Sequence, residues 1–273
     1  MRWLLVVPLL TLLACVSPLK ALQHEEPLAF EGARFTLKSD GFHEADAKTI
    51  ARAIERAQPE LARWGALDAP VTVYVVPTHD ALTSAVGRSW DWLRAWSQYD
   101  NVIFQAPSTW ASRPEQVNEL VLHELTHCLL FQRSADAQTW ETRRIPLWFR
   151  EGMAVYTARQ AHLYPSLEDT SRFLEQGGPD PFVDGETLSR ERSAEVYGVA
   201  LHAFTFLVDG AGDESVRAVM REMRSGKSFD EAFQAAMSRP VDAFVAEFRL
   251  WLKRRSFRKM HKTVPDAQVP DPA

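Results

Sequence analysis

Apolar residues follow two kinds of spacing along the chain, with short mixed segments in the first 110 residues and helical spacing beyond Ser112. Runs of apolar and β-branched residues predict strands, and apolar residues three or four apart predict helices. The predicted strands are 29–38, 71–76 and 101–105. The predicted helices of the first part are 44–64 and 80–86. The sequence therefore predicts an α+β fold, with a small N-terminal sheet and its helices followed by a helical half.

One helix of the second half carries ionisable residues inside an apolar run. It is predicted to begin in a capping box at Ser112-Arg113-Pro114-Glu115, with the proline in its first turn. Further along, two histidines and a glutamate stand among leucines and valines. Such groups on a buried helix are costly unless they are paired or bound to a metal. The alternative is that the histidines form hydrogen bonds within the core.

The order His123-Glu124-Leu125-Thr126-His127 is the H-E-x-x-H pattern of zinc enzymes. Residues four apart lie on the same helix face, so both imidazoles can reach a single tetrahedral Zn²⁺. Glu124 projects beside them, toward the position of an activated water. The pattern therefore predicts two zinc ligands and a general base.

Glu151 is the candidate third ligand, since a catalytic zinc site needs three protein ligands and one open position. It stands alone on the apolar face of a second predicted helix, which follows a polar loop at 132–144 and has Pro146 at its start. A short connection favours antiparallel packing of the two helices, which would bring Glu151 to the histidines. The alternative is a surface ion pair between Glu151 and one of three arginines, Arg143, Arg144 or Arg150.

The chain resembles the gluzincin metallopeptidases and, among them, the bacterial peptidase MA-like proteins. The stretches that carry the resemblance are VLHELTHCLL (121–130), PLWFREGMAVY (146–156), AEVYGVALHAFTFLV (194–208) and SFDEAFQAAMSRPVDAFVAEFRLWL (228–252). The first two are specific, and the third is suggestive. The resemblance covers 71–252 and implies a gluzincin-like fold with one Zn²⁺ per chain. It implies that His123, His127 and Glu151 bind this ion and that Glu124 is the general base.

The resemblance also implies other parts of a peptidase site. It puts Tyr197 where the family has a tyrosine that stabilises the oxyanion, with His202 as a weaker candidate; a core tyrosine is the alternative. It implies that strand 101–105 is the sheet edge that pairs with an extended peptide, unless the segment 90–99 covers it. Thermolysin-like members orient a histidine with an aspartate four residues after the glutamate ligand. Val155 stands at that position, so the partner of the histidine is not identified.

Composition is that of one enzyme-sized unit. The 273 residues, 46% of them hydrophobic, suffice for a core without a metal or disulfide, so zinc is expected to be catalytic rather than structural. The net charge of −5, with no basic stripe, argues against nucleic acid and anionic membrane surfaces as partners. The predicted organisation is an export segment at 1–21, a single unit at 22–258 with a sheet-containing part at 29–110 and a helical part at 112–258, and a disordered tail at 259–273.

The N-terminus predicts export. An apolar run at 3–13 follows Arg2 and is too short for a stable membrane anchor. Leu12-Leu13-Ala14-Cys15 resembles a bacterial lipobox, which makes Cys15 the predicted lipidation site; the alternative is cleavage after Ala21. The first route gives a membrane-anchored lipoprotein of the cell envelope, and the second a periplasmic or secreted protein. Cys128 then lacks a disulfide partner and is expected to be a small buried hydrophobe.

Three functions are compatible with these patterns. The first is an exported zinc metallopeptidase acting on a peptide or protein substrate. The second is a catalytically inactive zinc-binding lipoprotein that serves as a binding or assembly module. The third is a zinc hydrolase for a non-peptide amide, such as a cell-wall bond. Glu124 argues against the second, because a binding module needs no base beside the water.

Overall fold

The computed structural model describes residues 18–260, and for 256–260 it describes the backbone alone. The predicted lipidation site, Cys15, lies outside the described residues, as does most of the predicted tail. No helix within 18–260 is long and apolar enough to cross a membrane.

A five-stranded mixed sheet forms the N-terminal layer, in the order β1-β2-β3-β5-β4. Its strands are β1 (His24–Phe30), β2 (Ala33–Ser39), β3 (Val71–Val76), β4 (Ala95–Ser97) and β5 (Asn101–Gln105). The pairs β2–β3 and β3–β5 are parallel, whereas β1–β2 and β4–β5 are antiparallel. The prediction of one strand at 29–38 is wrong. A tight turn interrupts it, and Gly32 permits this turn because its φ of 73° is accessible to glycine.

Helices are the other main element of residues 18–260, and no strand lies beyond Gln105 among them. They are α1 (Glu44–Ala62), α2 (His79–Val86), α3 (Pro114–Ser134), α4 (Leu147–Thr157), α5 (Leu167–Glu175), α6 (Gly185–Leu188), α7 (Ser193–Arg224), α8 (Phe229–Met237) and α9 (Val241–Met260). The α+β prediction, with a small N-terminal sheet and a helical second half, is confirmed. Helix α9 extends two residues past the predicted boundary at 258.

The start of α3 differs in one detail from the predicted capping box. The Oε1 atom of Gln116 accepts hydrogen bonds from the backbone N–H groups of Ser112 (2.8 Å) and Arg113 (3.2 Å). The helix begins at Pro114, so the third helical residue is Gln116 and not Glu115. A glutamine at this position satisfies backbone donors in the same way as the predicted glutamate.

One continuous apolar core joins the sheet to the helical half. It includes residues from β3, α1, α3, α4 and α9: Val73, Ile50, Leu125, Phe149 and Phe248. Helix α3 packs between α1 and α4, and α4 packs against α7. The two helices that carry the predicted ligands are therefore held in the centre of the molecule, where their positions are fixed by packing on several sides.

A smaller apolar cluster covers the opposite face of the sheet. Its buried residues are Leu22, Val76, Leu82, Leu93 and Ile103, with Leu19, Trp90 and Trp96 packed against them. Residues Pro18–Ala21, the end of the predicted export segment, form a 3-10 turn here. This end of the segment is thus packed into the folded unit.

Candidate metal centre

Helix α3 brings the two predicted histidine ligands together one turn apart. The rings of His123 and His127 meet edge to face, with centroids 4.8 Å apart. Their Nε2 atoms lie 3.2 Å from each other, and each residue is 7% exposed. Two buried imidazoles with converging nitrogens are the arrangement that the i, i+4 spacing predicts.

Glu151 completes the group from α4. Its Oε2 atom lies 3.5 Å from Nε2 of His123 and 3.4 Å from Nε2 of His127. A tetrahedral ion with bonds of about 2.0 to 2.1 Å holds its ligand atoms about 3.3 Å apart. The three donor atoms therefore match one face of such a tetrahedron. The buried group of His123, His127 and Glu151 could hold a metal ion with a fourth position left over.

The position of Glu151 depends on a close contact between α4 and α7. A Cβ atom on Gly152 would lie 2.5 Å from the carbonyl oxygen of Ala200 and 2.7 Å from Cβ of Phe204. No side chain fits there, so only glycine allows α4 to lie this close to α7. The adjacent Glu151 is thereby directed to α3.

The second carboxylate oxygen of Glu151 has a different partner. Nε of Arg150 donates to Oε1 of Glu151 at 3.1 Å, while Nη2 of Arg150 donates to the exposed Glu186 at 2.9 Å. The arginine pair foreseen as an alternative therefore forms, but Glu151 is buried and uses its other oxygen toward the histidines. Burial alone would raise the pKa of Glu151, but the two histidines and Arg150 hold it well below its usual range.

Electrostatics at the centre favour positive charge. Burial opposes protonation of His123, yet its hydrogen bond to Glu151 and the charges of Glu124 and Glu151 raise its pKa above the usual value. The two carboxylates thus outweigh the desolvation of the imidazole. A cation placed among these donors would meet the same favourable field.

Gln160 is the partner of His123 that the sequence analysis did not identify. Its Oε1 atom lies 2.9 Å from Nδ1 of His123 and can only accept, so Nδ1 carries the proton and Nε2 could bind an ion. Gln160 lies in the 3-10 turn Gln160–Leu163 after α4, which the chain enters through Arg159 at a φ of 57°. Nδ1 of His127 is buried and has no hydrogen-bond partner among the described residues.

Glu124 lies next to the centre and is held by the sheet. It is 8% exposed, and the hydroxyl of Ser97 donates to its Oε2 atom at 2.6 Å. Ser97 ends β4, which is the edge of the sheet. The prediction that 101–105 forms this edge is wrong, because the segment 90–99 folds back and adds β4 outside β5. A three-residue strand among tryptophans gave no alternation by which to predict it.

Tyr197, on α7, is close enough to the site for the charges of Glu151 and Glu124 to act on its hydroxyl. Burial raises the pKa of its hydroxyl well above the usual value, and the charge of Glu151 raises it further. Its ring stacks on Tyr164 with centroids 5.8 Å apart, and no hydrogen-bond partner for its hydroxyl is found within residues 18–260. His202, the weaker candidate, is bonded through Nε2 to the carbonyl oxygen of Pro165 at 2.9 Å. It therefore has a structural partner away from the ligands.

Cys128 directly follows a predicted ligand but takes no part in the group. It is a free, fully buried thiol, and its sulfur lies 3.1 Å from the carbonyl oxygen of Gln98. Burial raises the pKa of the Cys128 thiol well above its usual value. Its full burial confirms the prediction of a small buried residue.

Comparison with known proteins gives little further information. No family model matches the chain. The uncharacterized protein YhcO of Bacillus subtilis (strain 168) is 22% identical over 137 residues. The aligned part is 50% of this chain and 42% of YhcO, so the chain spans less than half the length of this curated relative. The name of YhcO states no activity, and the comparison supplies no function.

Proposed function

We propose that this chain is an exported zinc metallopeptidase that hydrolyses peptide bonds. The observation that carries the proposal is the convergence of His123, His127 and Glu151 at tetrahedral spacing, with Glu124 beside them. Three protein ligands and an open fourth position are typical of catalytic rather than structural zinc. A nitrogen- and oxygen-donor set of this kind suits zinc better than calcium or magnesium, which prefer oxygen alone.

The proposed mechanism assigns a separate role to each side chain. A zinc ion held by His123, His127 and Glu151 would supply a water molecule of lowered pKa and would polarise the scissile carbonyl. Glu124 takes the proton of the attacking water and passes it to the leaving nitrogen. Tyr197 donates a hydrogen bond to the oxygen on which negative charge develops. Burial favours the neutral form of Tyr197, so its hydroxyl hydrogen is available for this bond.

The outer edge of β4, which pairs with no further strand within residues 18–260, supports a peptide or protein substrate. Within the β4–β5 pair, the N–H of Gln98 bonds to the carbonyl of Asn101 and the N–H of Gln105 bonds to the carbonyl of Arg94. Backbone groups alternate in direction along a strand, so those of Ala95 and Ser97 face away from β5. Ala95 is 4% exposed whereas Ser97 is partly exposed, so an extended peptide can pair with the backbone groups of Ser97 beside Glu124.

Two alternatives remain distinct from this proposal. A catalytically inactive zinc-binding lipoprotein would use the same three ligands but would have no use for a buried, hydrogen-bonded Glu124. A zinc hydrolase acting on a non-peptide amide would share the mechanism and differ in the substrate. The β4 edge favours a peptide over other amides, because strand pairing recognises a peptide backbone.

Export as a lipoprotein is also part of the proposal. Leu19 packs against the cluster on the outer face of the sheet, next to Leu22. Cleavage after Ala21 would remove this contact, whereas processing at Cys15 would keep it. The packing of Leu19 therefore favours Cys15 as the processing site and a membrane-anchored location in the cell envelope.

The variant Glu124→Gln tests the proposal, because it retains the shape of the side chain and cannot accept a proton. Zinc should remain bound, while cleavage of a fluorescence-quenched casein falls about 10²- to 10⁴-fold, or roughly 3 to 5 kcal/mol of barrier. Glu115→Gln, an exposed change in the first turn of the same helix, is the matched control and should match the wild type. Equal cleavage by wild type and Glu124→Gln would contradict the peptidase mechanism and favour the zinc-binding lipoprotein.

A further inference from the structure

Ser97 is part of the edge strand of the sheet and also contacts a residue of the candidate metal centre. Its backbone is at the open edge of the sheet, and its hydroxyl is bonded to Oε2 of Glu124, which is 27 residues further along the chain. The distance of 2.6 Å between the Ser97 hydroxyl oxygen and Oε2 of Glu124 is typical of a charge-assisted hydrogen bond, which is stronger than a bond between neutral groups. No other hydrogen bond to the Glu124 carboxylate is found among the described residues.

The register of β4 fixes the direction of this side chain. Ser97 is opposite Val102 and Trp96 is opposite Ile103, and neighbouring side chains of a strand point to opposite faces. Trp96 packs into the cluster on the outer face, where its ring lies 6.0 Å from that of Trp90 and Arg88 stacks over it at 5.1 Å. Ser97 must therefore face α3.

We propose that Ser97 is a positioning residue that holds the carboxylate of Glu124 and links it to the peptide-binding edge. This inference rests on the proposed peptidase function. The terminal torsion of a glutamate is broad when nothing restrains it. The Ser97 hydroxyl occupies Oε2 and fixes this torsion, which leaves Oε1 to take the proton from water. A peptide that pairs with the partly exposed backbone of Ser97 steadies the strand that holds the base.

Turnover measurements separate this role from a structural one. Ser97→Ala should lower kcat on fluorescence-quenched casein roughly tenfold to a hundredfold, with KM and zinc content unchanged, because a displaced reacting group costs rate and not binding. Ser97→Thr keeps the hydroxyl and should restore most of the kcat. Ser134→Ala is the matched control, since Ser134 is buried at the end of α3 and its hydroxyl has no partner among the described residues. A wild-type kcat in Ser97→Ala would overturn the proposal.

A second measurement uses the metal-free protein and no substrate. The urea midpoints of Ser97→Ala, Glu124→Ala and the double variant form a double-mutant cycle. Non-additive midpoints support the hydrogen bond, and additive midpoints overturn it. Full turnover in Glu124→Gln would overturn the peptidase function itself. Loss of turnover in Glu124→Gln together with full turnover in Ser97→Ala would overturn only the role of Ser97.

Discussion

Arg150 donates to Oε1 of Glu151, and this contact leaves Oε2 of the same carboxylate directed at the two histidines. The two residues are neighbours in sequence on α4. A carboxylate held by a guanidinium on one side is oriented before any ion arrives, because an Arg–carboxylate bond has a defined geometry. Preorganisation of this kind lowers the cost of assembling a metal site.

The first prediction concerns the three ligands. Purified protein should carry one zinc per chain, and His123→Ala, His127→Ala or Glu151→Ala should each abolish stoichiometric binding, because each removes one of three protein donors. Glu186→Ala is the control, since Glu186 contacts the outer side of Arg150 and does not reach the histidines. Atomic absorption on dialysed protein gives the metal content. Full zinc occupancy in Glu151→Ala would refute the third ligand.

The second prediction concerns Gln160. Gln160→Leu removes the acceptor for Nδ1 of His123 and should weaken zinc binding about 10- to 100-fold, the usual cost of losing a group that orients a ligand. Gln160→Glu keeps an acceptor and should bind zinc at least as tightly as the wild type. Competition with a chromophoric chelator measures both affinities. Unchanged affinity in Gln160→Leu would show that the histidine is oriented without the amide.

The two helices of the site could be predicted from sequence because their signals are local. The i, i+4 spacing of His123 and His127 places both side chains on one face of a helix. The apolar residues around Glu151 predict that its helix face packs against the interior of the protein. Ser97 and Gln160 could not be predicted. Ser97 meets Glu124 only through the sheet, and Gln160 lies on an irregular turn that has no hydrophobic period. Contacts between distant segments depend on the fold as a whole.

The edge of the sheet illustrates the same limit. The apolar run at 101–105 was correctly predicted as a strand. Its position in the strand order was predicted wrongly, because β4 and not β5 is the edge strand. Strand order is set by pairing partners, and the partner β4 is three residues long. A strand of this length carries too few positions for a period of two to be recognised.

The third prediction concerns Tyr197. Tyr197→Phe retains the ring that stacks on Tyr164 and removes only the hydroxyl, so the fold and zinc content should be unchanged. Loss of one donor to the oxyanion should lower kcat about 10²-fold. His202→Gln is the comparison, because His202 bonds to Pro165 and should affect stability more than kcat. A wild-type kcat in Tyr197→Phe would contradict the proposed hydrogen bond to the oxyanion and would show that this tyrosine serves only in packing.

The fourth prediction concerns Cys15. Conversion to serine removes the thiol that would receive the lipid, so Cys15→Ser should release the protein from the membrane fraction of a bacterial expression host. Cys128→Ser is the control. Cys128 is buried on α3, so this substitution should leave the location of the protein unchanged. Immunoblots of soluble and membrane fractions distinguish the two. Membrane retention of Cys15→Ser at the wild-type level would contradict the lipoprotein.

The fifth prediction compares a glycine in a crowded helix contact, Gly152, with one that has open space around it, Gly210. Gly152→Ala puts a methyl group 2.5 Å from the Ala200 carbonyl oxygen, which is backbone and cannot move aside, so α4 must shift from α7. Overpacking of this kind should destabilise the fold by on the order of 3 kcal/mol. Zinc affinity should fall as well, because Glu151 moves with α4.

Gly210→Ala is the matched control for this change. Gly210 is a helical residue of α7, two positions before a kink at Gly212 (φ 77°), and a methyl group there meets no atom within 4 Å. Alanine at this site should stabilise the protein by about 0.5 to 1 kcal/mol, because it favours the helix more than glycine does. Urea unfolding and chelator competition on both variants measure the two effects. A Gly152→Ala protein with wild-type stability and zinc affinity would show that the close approach of α4 to α7 does not position Glu151.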